Sequence, residues 1–259
     1  MQHWSRKIGF MWALVHNDLS TRYVGSFLGR VWLVVGPLIN IAIVGVVFQV
    51  GLRQAVPGQQ GFPWLLAGLL PWYFISDGLI GGASAITEKP WLIKKLVFDV
   101  KVLPIVRILS AFAVHLFLLT LALLIVLIPS GLMGLHVLQL GYFMFCSVAL
   151  VTAIAFSSSA VCVFARDMVN VMGLVVQFGF WLTPIFWDPG TKYPWMAKII
   201  MLNPFNYIVS GYRNSLVMND YWFWQTPREL AIFWVTTGAL LAIGFVVFAR
   251  LRPVFADLL

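Results

Sequence analysis

"EKPWLIKKLVFDVK", residues 88–101, puts six charged side chains into fourteen positions of a chain that is 10% charged and 61% hydrophobic. It sits between two apolar runs. Phe62 to Thr87 carries one acid, Asp77, and Ile108 to Ala165 carries no Asp, Glu, Lys or Arg. A soluble domain averages roughly 25% charged residues. A chain of 259 residues with mean hydropathy +0.92 and twelve Trp cannot cover a water-facing surface. It reads as an all-α integral membrane protein, a single domain over 1–259, with 88–100 as a loop between two spanning helices.

About 20 apolar residues cross a bilayer as a helix. Outward from the loop, spans are expected at 62–86 and 104–128; "PSGLMGLH" (129–136) then breaks the long run and a further span follows at 137–165. Spans at 31–52, 168–187 and 230–249 complete six. An even number puts both termini on one side. Arg6, Lys7, Arg22, Arg30, Lys89, Lys94, Lys95, Lys101, Arg107, Arg166, Arg250 and Arg252 fall on the loop's side, and Arg53, Lys192, Lys198, Arg213 and Arg228 on the other. The positive-inside bias makes the loop and both termini cytoplasmic.

At the start of the chain, Trp4, Ile8, Met11, Trp12, Val15 and Leu19 share one helical face, with Arg6 and Lys7 off it. Residues 1–29 are therefore expected to lie as a helix in the cytoplasmic interface, and no cleaved signal peptide is expected. Residues 188–228 contain "PWMAKIIML" and "PFNYIVSGYRNSLV", each opening with Pro and each too short to span. They read as re-entrant or interfacial half-helices on the outer side, joined near Asn203-Pro204. The run "YWFWQ" (221–225) suits the outer interface, where Trp and Tyr concentrate.

Catalytic signatures are missing. No His pair at i, i+4, no Cys-x-x-Cys and no Gly-x-Ser-x-Gly occurs, so neither a metal site nor an acyl-transfer centre is expected. Cys146 and Cys162 are sixteen positions apart in one apolar run, about 24 Å along a helix, too far to bridge. No phosphate-binding loop is present, so ATP-driven work would have to come from a partner. Asp77 is the acid inside an apolar run, a functional candidate by its cost alone. Structural pairing, pathway lining and proton coupling all remain open for it. His115 reads as a satisfied bundle residue. Trp72, Tyr73, Phe74, Phe178, Trp181 and Phe186 lie near Pro71 and Pro184. They form either an interfacial belt or a pathway on which the apolar faces of sugar rings stack. The 88–101 loop has three readings: a solvated topology signal, a surface for anionic lipid, or a docking helix. Docking is favoured. Pro90 would start the helix, Trp91 and Leu92 would anchor it, and Glu88, Lys94 and Lys95 would form the polar rim.

Four segments carry a resemblance: "HNDLSTRYVGSFLGRVWLVVGPL" (16–38), "LLAGLLPWYFISDGLIGGASAITEKPWLIKKLVFDVKVLPIV" (65–106), "FARDMVNVMGLVVQFGFWLTPIFW" (164–187) and "LNPFNYIVSGYRNSLV" (202–217). In this order on six spans they resemble the permease subunits of ABC-2 type exporters of cell-surface polysaccharides, the O-antigen, capsule and teichoic-acid class. The resemblance implies a homodimer in the bacterial inner membrane bound to two P-loop ATPase subunits, with ATP and Mg on those subunits and no cofactor on this chain. It implies a coupling helix at Glu88–Lys95, with the interface helix (Trp4, Arg6, Lys7, Trp12) beside it. It also implies an outer gate at Asn203, Pro204, Tyr207, Tyr212 and Arg213. The cargo would be a lipid-linked glycan, with membrane lipid as the other contact and no nucleic acid. The family's more basic character near His16 and Val24, and its frequent Pro where Asp99 stands, are missing. Two rival readings are an ABC-2 exporter of a small molecule or lipid, and a proton-coupled carrier centred on Asp77. Glu88→Lys and Trp91→Ala are expected to leave the protein in the membrane and hydrolysis running while export falls. Parental export in both variants would remove the loop from the coupling role.

Overall fold

The computed structural model describes residues 2–22, 25–47, 61–90, 99–187 and 194–258, without the side chains of 2–8, 30, 194, 197, 198, 256 and 257. The described residues form helices and no strand. In chain order these are α1 (Gln2–Thr21), α2 (Trp32–Val46), α3 (Phe62–Ser84), α4 (Val102–Leu127), α5 (Leu135–Phe164), α6 (Met168–Leu182), α7 (Pro194–Leu202), α8 (Pro204–Arg213) and α9 (Pro227–Leu251). By length and composition α3, α4, α5 and the helix from Pro227 to Val254 can each cross a membrane. The chain is thus a multi-pass membrane protein. α2 and α6 are apolar but have 15 residues each.

Helix ends follow local chemistry. α1 stops at Thr21 rather than running on to 29, and beyond it Gly25 and Gly29 take positive φ (87° and 50°), which a continuing helix would not allow. α6 stops at Leu182 rather than 187. Thr183 is extended (φ −90°, ψ 128°) because the ring of Pro184 disfavours helical backbone in the residue before it. α8 opens on Asn203, whose Oδ1 accepts from Phe205 N at 3.0 Å, with Pro204 at the first helical position.

α3 is the axis of the bundle. Its Trp64–Trp72 stretch and Phe74, Ile75 and Leu79 are buried against α4, α5, α6 and α8. α9 packs mainly on α5 and turns Val235, Ile243 and Val246 outward, as a lipid-facing helix does. At that contact the two backbones nearly touch: a Cβ on Gly244 would lie 2.7 Å from the carbonyl oxygen of Ala153. Small residues permit such close approach between membrane helices. Backbone cannot yield as a side-chain tip can, so Gly244→Leu is expected to cost about 1–3 kcal/mol. A lower unfolding temperature in detergent would register it.

Candidate functional site

Where α1, α3 and α4 converge, five charged side chains interlock. Asp18 on α1 accepts from Nε and Nη2 of Arg22 at 3.1 and 2.9 Å and from Lys89 Nζ at 2.7 Å. Arg22 Nη1 reaches across to Asp77 Oδ2 on α3 at 2.9 Å. Arg107 Nη2, from α4, binds the other oxygen of Asp77 at 2.7 Å, and its Nη1 lies 3.9 Å from Asp18. Three bases against two acids leave a net charge of +1. The Asp18 carboxylate is 4% exposed and that of Asp77 38%. Ionised groups persist in such surroundings only when paired and hydrogen-bonded. Gly81 makes the crossing possible: a Cβ there would sit 2.0 Å from Arg107 Nε. Glu88 is turned aside, accepting from Ser84 Oγ at 2.6 Å. All five residues of the cluster line a cavity of about 880 Å³ whose walls come from α1, α2, α3 and α4, with Trp32, Pro37, Tyr73 and Leu118 also in its lining.

Arg213 has a different solution. It lies at the end of α8, buried, with its guanidinium 3.3 Å above the Trp64 ring. It donates to the carbonyls of Pro184 and Ile185, both at 2.6 Å, and to that of Trp64 at 3.3 Å. These Pro184 and Ile185 carbonyls belong to the broken end of α6, where no helical donor follows. Gly68 leaves the room, since a Cβ there would meet Arg213 Nη2 at 2.8 Å. Nearby, His115 Nε2 and Tyr212 Oη are 2.9 Å apart, and Asn203 Nδ2 donates to Thr183 Oγ1 at 3.0 Å. Tyr207 Oη lies 3.1 Å from Tyr142 Oη, which accepts from Trp234 Nε1 at 2.9 Å. The 129–139 connection is sewn to the chain after α8. Asn219, left-handed at φ 58°, donates to Leu132 O at 2.7 Å, and Gln139 holds Tyr221 O and Phe223 N.

The structure separates the aromatic residues singled out above. Trp72 and Phe74 are core, 4% and 2% exposed, with Trp72 against Phe180 and Phe205 and Phe74 against Phe112. Phe178 and Trp181 point outward at 65% and 63%. Phe186 packs on Phe180, and Tyr73 lines the cavity. Trp12 is exposed on α1; Trp4, Arg6 and Lys7 lie in the same helix, with their side chains outside the described residues. Glu88 and Pro90 are described, whereas Trp91, Leu92, Lys94 and Lys95 lie outside the described residues. Arg22 and Arg107 did not stand out in the sequence as partners of Asp77, nor Asp18 and Lys89 as the pair beside them. The available signal was that Arg107 is the last charge before the long uncharged run.

The fold and its paired intramembrane charges define a multi-pass helical membrane protein. Residues 10–217 match the ABC-2 type transporter family, and the chain belongs to that family. It is 28% identical over 208 residues to the O-antigen export system permease protein RfbA of Myxococcus xanthus, with 79% of each chain covered. It is 25% identical over 257 residues to a Klebsiella pneumoniae protein with the same description, covering 95% of this chain and 93% of that one. Because Arg213 closes the carbonyls after α6, Arg213→Met is expected to destabilise the protein by about 1–3 kcal/mol through unpaired carbonyls. Thermal unfolding in detergent would measure the loss.

Proposed function

We propose that this chain is the membrane subunit of an ATP-driven exporter that carries a lipid-linked, O-antigen-like polysaccharide across the bacterial inner membrane. Similarity over nearly the whole length to permeases described as O-antigen exporters carries this reading. Two copies would pack together with two P-loop ATPase subunits, which supply ATP, Mg and hydrolysis. In this reading α2 and α6 complete six spans, both termini are cytoplasmic, and α7 and α8 form the outer gate. The exposed Phe178 and Trp181 on α6 would face the pathway between the copies, with buried Trp72 supporting them through Phe180. Glu88, Pro90, Trp91, Leu92, Lys94 and Lys95 would form the surface that receives the ATPase. Both oxygens of Asp77 are engaged by guanidinium groups, Arg22 at 2.9 Å and Arg107 at 2.7 Å, a pairing that argues against a proton-coupled carrier.

The chain should co-purify with a P-loop ATPase and, in vesicles, move an O-antigen-type lipid-linked glycan in an ATP-dependent manner that a protonophore leaves intact. Stimulation of hydrolysis by a small drug or simple lipid, but by no glycan, would select the small-cargo exporter. Transport that needs a proton gradient and no ATP would select the carrier.

A further inference from the structure

The charges around Asp77 alternate in the order Lys89–Asp18–Arg22–Asp77–Arg107, with Arg107 Nη1 also 3.9 Å from Asp18; the Asp18–Arg22 pair lies within one helix end, and the other pairs join the exit of α3, α1, α3 and α4. Lys89 stands at the exit of α3, one residue before Pro90. Its backbone is still tied to the helix end by Lys89 N to Ile86 O at 3.3 Å. Its ammonium is fixed to Asp18 Oδ1 on α1, and the fork of Arg22 occupies the other Asp18 oxygen. Arg22 then passes the link to Asp77 on α3, and Asp77 passes it to Arg107 on α4. Both carboxylates use one oxygen for each side of the line, so neither can swing without dropping a partner.

Four of the five side chains are 4–18% exposed, which weakens screening by salt, while Asp77 at 38% opens onto the cavity. Losing one partner would strand a buried charge. A displacement of Lys89 therefore either drags Asp18 with it or breaks a costly pair. Arg107 lies on α4 and, like the other four residues, lines the 880 Å³ cavity.

We propose that this five-residue line transmits movement from the loop beginning at Pro90 into α1, α3 and α4, with Asp18 and Asp77 as positioning residues. The proposal rests on the reading of the chain as an ATP-driven exporter. The pairing of Asp77 then has a purpose: it clasps the interface helix and α4 to α3.

The test uses the full complex with its ATPase and reads glycan exported per ATP hydrolysed. Lys89→Met cuts the first link and leaves the Arg22 pairs in place. It is expected to keep hydrolysis running while export per ATP falls about tenfold, and Lys89→Arg is expected to restore most of it. Asp77→Asn is expected to show the same split, and the double variant to be no worse than the poorer single one, because the two act on one path. Losses that multiply, a parallel fall of hydrolysis and export, or unchanged export would each overturn the proposal. Hydrogen–deuterium exchange with and without ATP supplies an arm that needs no glycan. In the parent, ATP should alter protection in both 88–101 and 18–22; in Lys89→Met the change should stop short of 18–22. A parent that responds at 18–22 but exports no glycan would refute the export reading while leaving the clasp standing. No response there in the parent, or an intact response in Lys89→Met, would refute the clasp.

Discussion

A carboxylate inside a spanning helix must be matched where it sits, and the arrangement of the described bundle turns on how Asp77 is matched. Its partners come from two other elements: Arg22 beyond the end of α1, and Arg107 in α4. Each of those needs room and a second acceptor. Asp18 provides the acceptor for Arg22, and its remaining oxygen captures Lys89. The demand of one acid for partners thus fixes where α1 lies against the membrane-spanning helices and how the chain leaves α3. The bilayer interior would penalise any other outcome by several kcal/mol for each stranded ion.

The same economy recurs near the opposite end of α3. Arg213 crosses that helix over Gly68 as Arg107 crosses it over Gly81. A side chain at either glycine would occupy the space of a guanidinium. The two arginines differ in what they meet. Arg107 finds a carboxylate, so its pairing is ionic. Arg213 finds carbonyls just beyond the break in α6 and the face of Trp64, so it closes those carbonyls and stacks on a ring. The first arrangement joins elements that meet near the start of the charged loop, while the second braces α8 against α3 and the chain after α6.

Much of the fold could be read from the residues alone. Hydropathy marked out α3, α4, α5 and α9, because an apolar helix of that length has one stable environment. Proline placed the starts of α7 and α8, whereas α9 begins at Pro227, before the expected 230. The reading was poorer where a local stop shortened an element, as at Thr183-Pro184 in α6 and at the glycines after α1. It was poorest for contacts. The aromatic cluster near Pro71 and Pro184 looked uniform in sequence, yet α3 buries Trp72 and Phe74 while α6 turns Phe178 and Trp181 outward.

By itself the sequence determined that this protein lives in a membrane, roughly where its helices begin and end, and that Asp77 would need a reason to exist. Those properties depend on neighbours within a few turns. Only the tertiary structure decided that the reason is a pair of arginines 55 and 30 positions away. Periodicity shows which face of a helix is apolar but not which other helix that face will meet. Which charges are paired depends on that meeting.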